Sequence, residues 1–133
     1  MTSWTVLVVD DDTNTLRSLE FVLSAAGFNV LTAANGVIAL HLMLDAIKGM
    51  LPIRLILTDI QMPMLSGLEF IDQIRRLDAA IPIVAITAYR DRNLERELGR
   101  RGCTQILDKP LDDESLVACL QVLSAGGGAD GTP

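Results

Sequence analysis

Apolar residues run without a break from Thr5 to Val9 and then recur at Leu16, Leu19, Val22 and Leu23 until Gly27. A short unbroken run predicts a strand covered on both faces, and the three-to-four spacing that follows predicts a helix. The same alternation continues, with strands predicted at 29–33, 53–58, 83–86 and 105–107. Helices are predicted along the stripe Val37, Leu40, Leu44 and Ile47, and at about 68–77, 91–101 and 114–123. Strict alternation of strand and helix implies a parallel sheet with helices on both faces. The more polar run 29–33 and the very short run 105–107 read as edge strands. Gly27, Gly49 and Gly102 fall where helices should stop, and Pro82 where a strand should begin.

At 133 residues, half of them hydrophobic, the chain has material for one domain, which at this size buries roughly 68–70% of its unfolded surface. The opening MTSWTVLVVDDD has no basic region, and its apolar run is far shorter than a membrane span, so a cytoplasmic location is expected. Cys103 and Cys119 have neither CxxC nor Cys/His spacing, which disfavours a disulfide framework or structural zinc. A formal charge of -6 disfavours direct nucleic-acid binding. After Leu123 the chain reads SAGGGADGTP. The folded unit is therefore expected to span 1–124, with 125–133 a disordered tail or the start of a linker.

In such a sheet, ligands bind beyond the carboxyl ends of the strands, where the strand order reverses. Asp10, Asp11 and Asp12 follow the first strand, Asp59 ends the third, Thr87 the fourth, and Lys109 follows the fifth. Carboxylates gathered this way repel, by about 4 kcal/mol for a pair roughly 4 Å apart at an effective dielectric of 20. A hard divalent cation resolves the conflict, and Mg²⁺ favours one or two carboxylates with waters and a phosphate oxygen. Lys109 and Thr87 would complete a phosphoryl site. Asp59, alone at a strand tip, is the candidate nucleophile, and the adjacent pair Asp10 and Asp11 the candidate metal ligands. The Gln61 backbone carbonyl is a further candidate ligand. Asp12 reads more readily as a helix N-cap than as a third ligand, in competition with Thr13. His41 is assigned no role. Five arginines and three acids between Arg90 and Arg101 read as a solvated ion-pair face, on a helix with few apolar residues beyond Leu94 and Leu98.

The motifs VLVVDDD, LILTDIQMPMLSGLEF, IVAITAY and ILDKP together resemble, in order and spacing, the signatures of receiver domains of two-component signalling. The resemblance covers residues 4–124. It implies an α/β, flavodoxin-like, doubly wound fold with five parallel strands in the order 2-1-3-4-5 and five helices. It also implies phosphorylation of Asp59 by a histidine kinase or phosphotransfer protein. Asp10, Asp11, Asp59 and the Gln61 carbonyl would then hold Mg²⁺, and Thr87 and Lys109 would contact the phosphoryl group. The Lys109–Pro110 bond would be cis, and output would run through the fourth helix, fifth strand and fifth helix. Such a domain is a phosphoacceptor assisting its own phosphorylation and dephosphorylation, not an enzyme acting on other molecules. The chain departs from many relatives at Ile106, where they carry Tyr or Phe. A phosphatase of the haloacid dehalogenase type would need DxDxT on the first strand, which Asp10 to Asn14 does not complete. A flavodoxin-like electron carrier would need hydroxyls and amides where Asp10 to Asp12 stand.

Overall fold

The apolar runs form β1 (Thr5–Val9), β2 (Asn29–Ala33), β3 (Leu55–Asp59), β4 (Ile83–Thr87) and β5 (Gln105–Asp108). Between and after them lie α1 (Thr13–Ala25), α2 (Gly36–Lys48), α3 (Gly67–Leu77), α4 (Arg92–Arg100) and α5 (Asp113–Asp130). The structure, a computed structural model, describes residues 4–49 and 52–130, with 126–130 described by their backbone alone. The five strands pair in parallel in the order β2-β1-β3-β4-β5, as the resemblance implied.

Side chains of a strand alternate between faces, and this period sorts the core into two clusters. Val6, Val8, Leu55, Leu57, Val84 and Ile86 meet Leu16, Leu19 and Leu23 of α1 and Leu116 and Leu120 of α5. Their neighbours Leu7, Val9, Ile56, Ile83 and Ala85 face the other way, toward Met43, Phe70, Ile74 and Leu98 of α2, α3 and α4. All five residues of β1, β3 and β4 are buried, whereas β2 and β5, as expected of edges, contain exposed positions.

The helix starts are set locally. Asp12 caps α1 by accepting from the Asn14 N–H at 3.0 Å, which settles its role over that of Thr13, the first helical residue. Asn35 and Asp91 cap α2 and α4 in the same way. Ser66 and Glu69 form a reciprocal capping box on α3.

Two expectations are corrected. The buried face of α2 is Gly36, Ala39 and Met43; of the predicted stripe Leu40 packs against the core, whereas Val37, Leu44 and Ile47 are 40%, 37% and 54% exposed. Close packing decides this, since a Cβ on Gly36 would already stand 3.0 Å from Leu65. The second correction concerns α5, whose backbone stays helical to Asp130, beyond the end expected near Leu123 and through part of the segment read as a tail. Backbone hydrogen bonding continues a helix whether or not its side chains pack, although glycine costs about 1 kcal/mol per residue relative to alanine. Residues 131–133 of the expected tail lie outside the described residues. Smaller shifts occur at β3, which begins at Leu55 rather than residue 53 and ends on Asp59.

Candidate phosphoryl and metal site

The chain leaves β1 toward β2 on one side and returns to β3 on the other, so strand order reverses between β1 and β3. Val9 pairs with Thr58, which sets the next residues, Asp10 and Asp59, level across that switch point. Asp59 pairs with Ile86, leaving Thr87 one step further out, and Thr87 pairs with Asp108, leaving Lys109 one step beyond. Backbone bonds hold the rim: Asp10 N–H donates to Ala33 O at 3.1 Å, Ile60 N–H to Ile86 O at 3.0 Å and Lys109 N–H to Thr87 O at 2.9 Å.

Three strand tips end in the same local device. The side chains of Asp10, Asp59 and Thr87 each accept from the N–H two residues on, those of Asp12 (2.9 Å), Gln61 (3.0 Å) and Tyr89 (3.0 Å). Such turns fix a short polar side chain to its own loop. They also let Asp10, Asp59 and Thr87 sit buried with partners, and no buried side-chain polar atom lacks one among the described residues.

Carboxylate oxygens of Asp10, Asp11 and Asp59 all lie within 4.8 Å of one another, with Asp11 facing solvent. Lys109 Nζ donates to Asp59 Oδ2 at 2.8 Å and reaches Asp10 Oδ2 at 3.4 Å. The Lys109–Pro110 peptide is cis. Burial pushes the Asp10 carboxyl above its usual range; the Asp12 N–H opposes this, the Asp59 charge adds to it, and Lys109 opposes it. Lys109 shows the converse balance: burial disfavours its charge, but the hydrogen bond to Asp59 and the charges of Asp10 and Asp59 outweigh that and raise its pKa. One ammonium against three carboxylates leaves negative charge, and an all-oxygen donor set of this kind fits a hard dication such as Mg²⁺.

The structure thus brings together Asp10, Asp11, Asp59, Thr87 and Lys109 on one rim, with Gln61 in the turn beside Asp59. Asp12 turns away to cap α1 and bonds Thr15 Oγ1, which lowers its pKa. His41 is exposed on α2, and Cys103 and Cys119 are half-buried free thiols, with burial pushing Cys103 up to about 11. Two features escaped the sequence reading. The Gln61 side chain accepts a hydrogen bond from Thr87 Oγ1 at 3.2 Å, a contact that no spacing rule marks. Gly67 is the other: a Cβ there would stand 2.5 Å from Ile60 Cα and 2.8 Å from Asp59 O, so α3 begins against the backbone of the site. A cleft of about 650 Å³ opens beside Lys109, lined by Asp12, Asn14, Thr15, Ser18, Pro110 and Leu111 among others.

A family model described as the response regulator receiver domain matches residues 6–121. Among curated proteins, the chain is 34% identical over 119 residues to the transcriptional regulatory protein CpxR homolog of Haemophilus influenzae, covering 89% of this chain and 49% of that protein. Among solved structures, chemotaxis protein CheY4 of Vibrio cholerae superposes with a TM-score of 0.81 at 30% identity, over 90% of this chain and 98% of that one. The CheX–CheY–BeF3–Mg complex from Borrelia burgdorferi gives a TM-score of 0.83 at 26% identity, over 90% of this chain and 88% of that one. The chain spans about half the length of the first curated relatives it matches.

Proposed function

The chain belongs to the response regulator receiver domain family of two-component signalling, and on that premise we propose that Asp59 is its phosphoacceptor. Receiver domains are phosphorylated by histidine kinases, and the family is a signalling fold rather than a catalyst of turnover. The observation that carries the assignment is the buried Asp59 carboxylate, bonded at 2.8 Å by Lys109 and clustered with Asp10 and Asp11 at the switch point.

Asp10, Asp11 and Asp59 would hold Mg²⁺ with the Gln61 backbone carbonyl, and the ion would supply positive charge to the phosphoryl oxygens in transfer. An Asp59 oxygen attacks phosphorus while the bond to the donor breaks, and the leaving group departs with the electron pair. Lys109 offsets charge on the transferring oxygens. Thr87 then donates its hydroxyl to one of them, favouring a second conformation of the surface formed by α4, β5 and α5. In hydrolysis, water attacks phosphorus, the bond to the Asp59 oxygen breaks, and the carboxylate leaves with the electron pair while the same groups offset the charge on the transferring oxygens. The donor, a histidine kinase or phosphotransfer protein, would approach through the cleft between the start of α1 and the β5–α5 loop, and with such a donor we place the domain in the cytoplasm. We take 1–124 as the receiver unit and 125–133 as a tail or the start of a linker, the first part of which continues the α5 backbone helix. Among the described residues no helix is long and apolar enough to cross a membrane.

Incubation with Mg²⁺ and acetyl phosphate, followed by mass mapping, is expected to place a base-labile phosphoryl group on Asp59 and none in Asp59→Asn. Full labelling of Asp59→Asn would remove the assignment. Calorimetry tests the metal set: Asp10→Asn with Asp11→Asn should abolish the Mg²⁺ binding heat, and an undiminished heat would contradict the pair.

A further inference from the structure

We infer that the Gln61 side chain is a latch that holds the Thr87 hydroxyl in the resting state, and so sets how readily the phosphorylated state is reached. The inference rests on Asp59 being the phosphoacceptor and assigns the Gln61 side chain a positioning role separate from its backbone carbonyl.

Thr87 is fully buried, and a buried hydroxyl must place its hydrogen on an acceptor. That acceptor is Gln61 Oε1, at 3.2 Å, while Thr87 Oγ1 itself accepts from the Tyr89 N–H at 3.0 Å. A threonine hydroxyl carries one hydrogen. It cannot serve Gln61 and an acyl phosphate oxygen together, so the active state is entered only by breaking the Gln61 bond. Ile106, paired with Ala85 beside Thr87, offers no polar side-chain group to take over either role.

Both ends of the latch are anchored. The Gln61 N–H donates to Asp59 Oδ1 at 3.0 Å, so the turn that carries the amide is tied to the phosphoacceptor itself. Phosphorylation therefore acts on it twice, altering the carboxylate that holds the turn and offering Thr87 a charged acceptor stronger than a neutral amide. Gln61 is exposed, so its released amide passes to water. What opposes switching is the net worth of one neutral hydrogen bond, about fivefold in an equilibrium constant.

The test titrates the full chain with beryllium fluoride at saturating Mg²⁺, followed by amide NMR spectra. It compares the unaltered protein, Gln61→Met, Thr87→Val and the double variant. Met keeps the length of the side chain and removes the amide oxygen. Gln61→Met is expected to tighten beryllium fluoride binding about fivefold. Before any fluoride is added, it should also move the Tyr89 amide resonance toward its position in the loaded protein. In the Thr87→Val background the same change should have no effect on affinity. Gln61→Glu, which retains an oxygen acceptor, should restore the resting Tyr89 resonance. Unchanged or weaker binding in Gln61→Met, or an equal gain without the Thr87 hydroxyl, overturns the latch. Failure of the unaltered protein to take up beryllium fluoride would instead overturn Asp59 as the acceptor, and the latch with it.

Discussion

The centre of the sheet and its β5 edge are held by different forces. In β1, β3 and β4 every residue is buried, and their tips carry Asp10, Asp59 and Thr87 in self-bonded turns. At the edge, β5 is exposed at Gln105 and Asp108, α4 buries Leu98 with Leu94 half-buried, and arginines make most of the specific links. Arg101 pairs with Asp72 of α3 at 2.8 Å and with Glu97 at 2.9 Å, while Arg90 pairs with Glu95 at 2.8 Å and Asp108 at 3.3 Å. Apolar burial fixes geometry, whereas solvent-exposed ion pairs such as those of Arg90 contribute little each and rearrange cheaply. The division suits the proposed reading, in which a phosphoryl site is held precisely at the centre and the edge is free to rearrange.

The largest expected effect lies at the centre. Gly67→Ala would put a Cβ into Ile60 Cα and the Asp59 and Ile60 carbonyl oxygens, none of which is a flexible side-chain end. Urea unfolding should show a loss of roughly 3 kcal/mol, the upper range for overpacking, with weakened beryllium fluoride binding because Asp59 is displaced. Wild-type stability in this variant would mean that the centre is as yielding as the edge.

Next comes Arg75, a reinforcement between α3 and the turn before β5. Its guanidinium donates to backbone oxygens of Arg101 (2.7 Å), Ile81 (2.8 Å), Gly102 (3.0 Å) and Asp78 (3.4 Å). Arg75→Ala should cost about 2 kcal/mol, and Arg75→Lys nearly as much, since an ammonium cannot reproduce a planar fork. Because its acceptors are carbonyls, the loss should barely change between low and high salt, unlike the ion pairs of α4. A strongly salt-dependent loss would put Arg75 among the mobile links.

A third prediction separates stability from function at the centre. The folded state raises the Asp10 pKa, so it binds more protons than the unfolded chain in the window above the ordinary carboxylate value. Stability without metal therefore falls as pH rises through that window and stays reduced at neutral pH. Asp10→Asn should stabilise the metal-free protein at pH 7, show no gain near pH 3, and lose the rise in Tm expected from Mg²⁺ in the unaltered chain. Lower stability of Asp10→Asn at pH 7 would show that the Lys109 pairing outweighs burial.

This contrast also governs what the sequence disclosed. The runs VLVV, LILT and IVAIT announce buried strands because burial on both faces demands unbroken hydrophobicity, and the strand ends then place Asp10, Asp59, Thr87 and Lys109 on one rim. On α2, hydropathy favoured Val37, Leu40, Leu44 and Ile47, of which only Leu40 packs on the core, while the fold buried Gly36 and Ala39, because closeness of approach is a property of the neighbour Leu65. Arg75 and the Gln61 side chain stayed hidden for a related reason. Arg75 bonds backbone carbonyls, which every residue carries, and Gln61 bonds a hydroxyl 26 positions away. The charges between Arg90 and Arg101 were legible as an ion-pair face, which the i,i+4 pair of Glu97 and Arg101 realises, but the tie of Arg101 to Asp72, 29 positions away, was not.

The smallest effect belongs to Arg90, which bridges the loop after Thr87 to α4 and β5. Its side chain is 39% exposed, and its partners Glu95 and Asp108 are 42% and 60% exposed. Both guanidinium bonds raise the Arg90 pKa, the one to Glu95 most, yet in solvent such pairs contribute only a small coupling and are screened by salt. A double-mutant cycle of Arg90→Met and Glu95→Gln should give a coupling of that size at low salt and none at about 0.5 M, where the Debye length is well under 10 Å. Because the bridge ties the loop after Thr87 to α4 and β5, breaking it should also broaden or shift amide resonances of α4 and β5 while leaving those of β1 and β3 in place. A large coupling that survives salt would make the edge as fixed as the centre, and the division of labour between them would fail.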